Sequence, residues 1–216
     1  MAALDFNAAL ERLYREFRVP KPASIDACPC CLDSEDVCTL LARDLRSIAP
    51  HELSSYASSV FLTCGSAPDF RYFLPRIFEI AATDRDWWPS PEVAIGKLQR
   101  AEWQHWSSDE RSAVRTFLMA WLDCEARLAA TGPDTYDTPV DDLLCGIALA
   151  GEDLAPYLER MLRYPPALAA VYAVNASSIA TQRKLSNAFW AHRDERGQPL
   201  LNFLVSDRVQ RRIQDA

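Results

Sequence analysis

Residues 107–132, SSDERSAVRTFLMAWLDCEARLAATG, decide the fold class. Ser107 and Ser108 precede Asp109 and Glu110, which is the pattern of a capping box. In that motif a hydroxyl and a carboxylate satisfy the backbone N–H groups that a helix start leaves without partners. Val114, Phe117, Leu118, Trp121 and Leu128 follow at spacings of three, four and seven, so they share one helical face. Gly132 suits the left-handed conformation just beyond a helix end. This stretch therefore reads as one long helix with a single buried stripe.

The same period extends in both directions. Upstream it predicts helices over 4–17, over 34–45, from Pro50 to a stop at Gly65, from Ser66 or Asp69 onward, and over 91–101. Pro75 falls inside the fourth of these and should kink it or delay its start. Downstream the helices cover 139–150, 154–162, 166–190 with a break near Asn175, and 198–213. No segment alternates with period two. The fold expected is all-α, with roughly nine to ten helices and short connections between antiparallel neighbours. A multi-helix bundle and an irregular α-solenoid both fit. Residues 1–216 read as a single all-α domain. Its first 26 residues form an N-terminal helix with a linker, carrying Pro20 and Pro22, packed on it.

Composition supports this. The 216 residues are 49% hydrophobic and 25% charged, which excludes a disordered or fibrous chain. Six glycines beside 14 prolines disfavour a turn-rich β-sandwich. A net charge of -7 argues against nucleic acid as a partner. The longest uncharged run, between Arg163 and Arg183, holds Pro165, Pro166, Asn175, Ser177 and Ser178 and is too polar to cross a membrane. The first residues lack the basic start of a signal peptide, and the chain carries seven cysteines, an odd number. Reduced thiols in the cytoplasm are the expectation.

Three groups of residues carry candidate chemistry. Cys28, Cys30, Cys31 and Cys38 lie within one short segment, and thiolates at close spacing are what a zinc site needs. Cys64 or His51 could complete such a site only through the tertiary fold. Packed, inert thiols are the alternative. Thiol chemistry finds little support: Asp26, Asp33, Glu35 and Asp36 flank the group, and negative neighbours disfavour the thiolate.

The second group is acidic. Asp134, Asp137, Asp141, Asp142, Glu152 and Asp153 lie in a stretch with no Lys or Arg. Such a stretch could steer a basic protein partner, with Trp87 and Trp88 of a Pro-bounded loop as anchors. The third group, Arg71, Tyr72, Arg76 and Lys97, could line a pocket for an anionic small ligand.

No nucleophile elbow, Walker loop, dinucleotide fingerprint or H-E-x-x-H helix is present. The leading expectation is thus a non-catalytic protein-binding protein of immunity or adaptor type, needing no cofactor, that meets a basic partner. A metal- or thiol-dependent enzyme at the cysteines is the alternative, and a small-ligand carrier is the third reading.

Several segments also resemble a family of uncharacterised bacterial all-α proteins. They are Cys28-Pro-Cys-Cys31, Tyr56-Ala57, Asp69-Phe-Arg-Tyr-Phe-Leu-Pro-Arg76, Gly96-Lys-Leu98 and Phe189-Trp190. The resemblance spans nearly the whole chain in the same order. It implies one cytoplasmic unit and carries over no catalytic residue.

Overall fold

The computed structural model describes residues 4–129, 139–190 and 194–214. Among these residues there are eleven α-helices and no β-strand, so the all-α class holds and the helix number is slightly higher than expected. Among the described residues no helix is long and apolar enough to cross a membrane. The backbone divides into two compact units, residues 5–117 and residues 118–216 with 1–4.

The unit of residues 5–117 contains α1 (Phe6–Glu16), α2 (Ser34–Ala42), α3 (Pro50–Ser59), α4 (Ala67–Thr83), α5 (Pro91–Arg100) and the first part of α6 (Ser108–Leu128). Its core is aromatic: Tyr56, Phe70, Phe73, Phe78, Trp103 and Phe117 are fully buried. Burial of a side chain of this size stabilises the fold by about 1.5–3 kcal/mol before entropy is counted. Helix starts follow the sequence signals. Asp69 accepts from both the N–H (2.9 Å) and the hydroxyl (2.8 Å) of Ser66. Glu110 does the same with Ser107, at 3.0 and 2.8 Å. Because Ser66 caps α4, the helix begins upstream of Pro75 and runs through it. Gly65 does not end α3. That helix stops at Ser59, and Gly65 lies beyond Val60–Thr63 with φ +65°. A Cβ on Gly65 would sit 3.0 Å from the Tyr56 ring.

The other unit contains the remainder of α6, then α7 (Pro139–Leu149), α8 (Ala155–Met161), α9 (Pro165–Gln182), α10 (Asp194–Leu204) and α11 (Asp207–Gln214). Leu118, Trp121 and Leu122 of α6 are buried here, whereas Leu128, expected on the buried stripe, ends the helix 49% exposed. The break expected near Asn175 does not occur. Asn175 is fully buried within α9 and uses its side-chain amide as a junction. It donates to Asp141 at 2.8 Å and to the Val171 carbonyl at 2.9 Å, and accepts from the Ser186 N–H at 2.7 Å. An amide satisfied in this way has no need to break the helix around it. The single helix expected over 198–213 is instead two. Ser206 separates them, its hydroxyl donating to the Phe203 carbonyl at 2.7 Å and accepting from the Val209 N–H at 3.4 Å.

Candidate metal centre

The cysteine turn is built from backbone bonds that sequence spacing cannot show. Ile25 and Leu32 are buried on either side of it and fix its ends. The Asp26 carbonyl accepts from the Gly65 N–H at 2.8 Å, and the Cys28 N–H donates to the Thr63 carbonyl at 2.8 Å. These bonds form an isolated antiparallel bridge between Ala27 and Cys64. Within the turn the Cys28 carbonyl accepts from the N–H groups of Cys31 (2.9 Å) and Leu32 (3.1 Å). Asp33 then caps α2, accepting from Glu35 and Asp36. The backbone thus folds back tightly enough to aim three side chains at one point.

Those side chains are Cys28, Cys30 and Cys31. Their sulfurs all lie within 4.8 Å of one another. The Cys28–Cys30 separation is 2.8 Å and the Cys30–Cys31 separation 3.6 Å. Zinc–sulfur bonds of about 2.3 Å place tetrahedral sulfurs about 3.8 Å apart, so small side-chain shifts would admit an ion. Cys30 is exposed, and Cys28 and Cys31 are half-buried. Cys30 lies within hydrogen-bonding distance of both neighbouring sulfurs. Hydrogen bonds from Cys30 lower the Cys28 pKa. Hydrogen bonds to Cys28 and Cys31 push Cys30 up to about 11.

The fourth cysteine of the expected set does not join them. Cys38 is exposed on α2, outside the group of three. The turn closes at Leu32, and Cys38 belongs to α2, the helix that Asp33 caps. Among the described residues no imidazole or carboxylate joins the three sulfurs, and neither His51 nor Cys64 belongs to the group. Cys64 is buried nearby, its thiol 3.9 Å from the Tyr56 carbonyl and pushed up to about 11 by burial.

The four polar residues expected to hold an anion are each committed to a neighbour. Arg71 pairs with Glu110 and lies over the Trp106 ring. It also borders an open groove of about 540 Å3 walled by Pro20, Pro22, Pro68 and Trp106. Tyr72 is buried edge-on against Phe73. Arg76 donates twice to the Ile48 carbonyl, at 3.0 and 2.7 Å, and pairs with Glu79 at 2.7 Å. Lys97 is only 5% exposed and donates to the carbonyls of Ser58 (2.6 Å) and Val60 (2.9 Å) at the end of α3. Desolvation pushes its pKa down to about 8.

The expected acidic face is also divided. Asp134 and Asp137 lie outside the described residues. Asp141 is 1% exposed and holds Asn175, so it belongs to the interior. Asp142 accepts from Asn187 at 2.9 Å. Glu152 is half-buried, and Asp153 is exposed and accepts from the Ala155 N–H at the start of α8. Trp87 is buried, its indole N–H donating to the Pro50 carbonyl at 2.8 Å, while Trp88 is 57% exposed.

One polar cluster went unread in the sequence. Asp123 of α6 is fully buried and paired with Arg160 of α8, whose Nε lies 2.7 Å from Oδ1. Tyr164 donates to Oδ1 at 2.9 Å and the Leu4 N–H to Oδ2 at 3.0 Å. Burial raises the carboxyl's pKa, but the bonds from Arg160, Leu4 and Tyr164 outweigh it and hold Asp123 below its ordinary range. An acid inside the apolar run Trp121-Leu122-Asp123 was the available signal.

No protein-family model matches the chain, and no curated protein or solved structure matches it either. The geometry of the sites carries the functional argument alone.

Proposed function

We propose that this protein binds a thiophilic metal or metalloid ion through Cys28, Cys30 and Cys31. The observation that carries the proposal is the convergence of three sulfurs within 4.8 Å on a solvent-facing turn held by backbone bonds on both sides. Thiolates favour soft ions, and three of them on one short loop lose little freedom on binding. The group has no adjoining imidazole or carboxylate among the described residues to act as a base, which favours binding over turnover. None of the seven cysteines is in a disulfide, which suits a reducing compartment such as the cytoplasm.

The basic-partner reading has less to stand on, since Asp141 and Trp87 are interior. Of the described members of that set, Asp153 and Trp88 are the exposed ones.

Titration of the reduced full chain with Cd2+ tests the proposal, because cadmium thiolates absorb in the near ultraviolet. Saturation at one ion per chain is expected, with that absorption lost in Cys30→Ser and retained in Cys38→Ser. Equal responses of the two variants would remove the proposal.

A further inference from the structure

Resting on that reading, we infer that the three-sulfur turn selects a neutral trivalent metalloid hydroxide of the arsenite class, bound as a three-coordinate pyramid, over a divalent metal ion.

Three observations converge on this ion class. The first is donor count: three sulfurs meet, and no fourth His, Asp, Glu or Cys joins them among the described residues. Zinc in a structural site takes four protein donors. A trivalent arsenic centre needs only three, because its lone pair fills the open vertex.

The second observation is spacing. The two sulfur separations at Cys30, 2.8 and 3.6 Å, are both shorter than the edge of a zinc tetrahedron. A pyramid with angles near 90° and bonds of about 2.3 Å needs sulfurs only about 3.3 Å apart. The Cys28–Cys30 separation is shorter than either edge, the Cys30–Cys31 separation lies between the two, and Cys28 and Cys31 are within 4.8 Å of each other, so the trio is at least compact enough for the smaller pyramid at Cys30.

The third is charge. Between Lys21 and Arg43 the chain carries Asp26, Asp33, Glu35 and Asp36 and no basic residue. A divalent ion on three thiolates leaves a net charge of −1 on a segment whose other charges are all negative. Arsenite avoids this: As(OH)3 condenses with three thiols, three As–O bonds break, and three As–S bonds form. Each thiol proton leaves with a hydroxide as water, no electron is transferred, and the product is neutral. The negative charge of this segment therefore opposes the divalent complex and not the neutral arsenical one. Access is open as well, since Cys30 is exposed and the other two sulfurs are half-exposed.

The test is native mass spectrometry of the full chain, reduced with a phosphine, with arsenite and Zn2+ added separately and in competition. X-ray absorption on the arsenic-loaded protein reads its coordination. Expected are one arsenic per chain, three sulfur neighbours, and retention of arsenic against equimolar zinc. Each of Cys28→Ser, Cys30→Ser and Cys31→Ser should weaken arsenite binding at least about 100-fold, because losing one arm removes its intramolecular advantage. Cys38→Ser should leave it unchanged and so controls for general thiol reactivity. Stoichiometric zinc on the trio, with arsenite failing to displace it, would overturn the arsenite inference and leave the metal-site reading standing. Binding of neither ion would overturn both.

Discussion

The 28–31 turn and the Asp123–Arg160 cluster are both dense polar groups, yet they stand in opposite relations to solvent and to their own bonding capacity. Asp123 is fully buried, and Arg160, Tyr164 and the Leu4 N–H donate to it. Cys28, Cys30 and Cys31 bond mainly to one another, with Cys30 in solvent. Buried ionic groups are destructive when one partner is removed, because the other is stranded. Exposed thiols strand nothing when changed. The first cluster is thus spent on holding the fold, while the second keeps capacity for something outside the chain.

Removing Asp123 should have the largest effect. Asp123→Ala leaves Arg160 buried without its partner, and a loss of about 3–5 kcal/mol in urea unfolding is expected. A loss below about 1 kcal/mol would mean the cluster is wetter than its burial indicates. The same carboxyl gives an acid limb. Its folded pKa is depressed, so its contribution is present above the unfolded value near 3.8 and is lost as pH falls through the lower folded value.

Lys97 comes next and has the opposite sense. Its folded pKa is about 8 against an ordinary 10.5, so between these values the unfolded chain binds more protons and stability rises with pH. A gain of about 2–3 kcal/mol between pH 8 and 10 is expected. Above that range the hydroxyls of Tyr14 and Tyr56, whose ionisation desolvation opposes, favour the unfolded chain. Lys97→Met should flatten the rise in thermal unfolding, and a rise that persists would assign it elsewhere.

Asn175→Leu should cost about 1–3 kcal/mol, because Asp141 and the Ser186 N–H lose a buried partner. Chemical denaturation measures it. Cys30→Ser should change stability by less than about 0.5 kcal/mol, as surface substitutions do, while removing ion binding. If that variant unfolds readily, the thiols serve the fold, and the contrast between the two clusters collapses.

What the sequence made legible was local. The Ser107–Glu110 capping box formed as its spacing indicated, and of the two starts open to α4, Ser66 or Asp69, Ser66 is the cap. The adjacency of Cys28, Cys30 and Cys31 carried through to their sulfurs because a tight turn leaves little room for them to diverge. What stayed hidden depended on partners distant in the chain. The bridge from Ala27 to Cys64 and the pairing of Asp123 with Arg160 have no local signature. Asp141 looked like surface charge at a helix start until Asn175, from another helix, covered it. Ser206-Asp207 was a readable cap, but the apolar period ran across it and masked the break between α10 and α11.

The most direct measurement is site-resolved alkylation of the native, reduced protein, read by peptide mass spectrometry with and without one equivalent of bound ion. Cys30 and Cys38 are both exposed, so both should label freely without the ion. With it, Cys28, Cys30 and Cys31 should be protected while Cys38 labels as before. Equal labelling of Cys30 and Cys38 under both conditions, whether the ion is arsenite, zinc or cadmium, would contradict the assignment of the three-thiol turn as an ion-binding site.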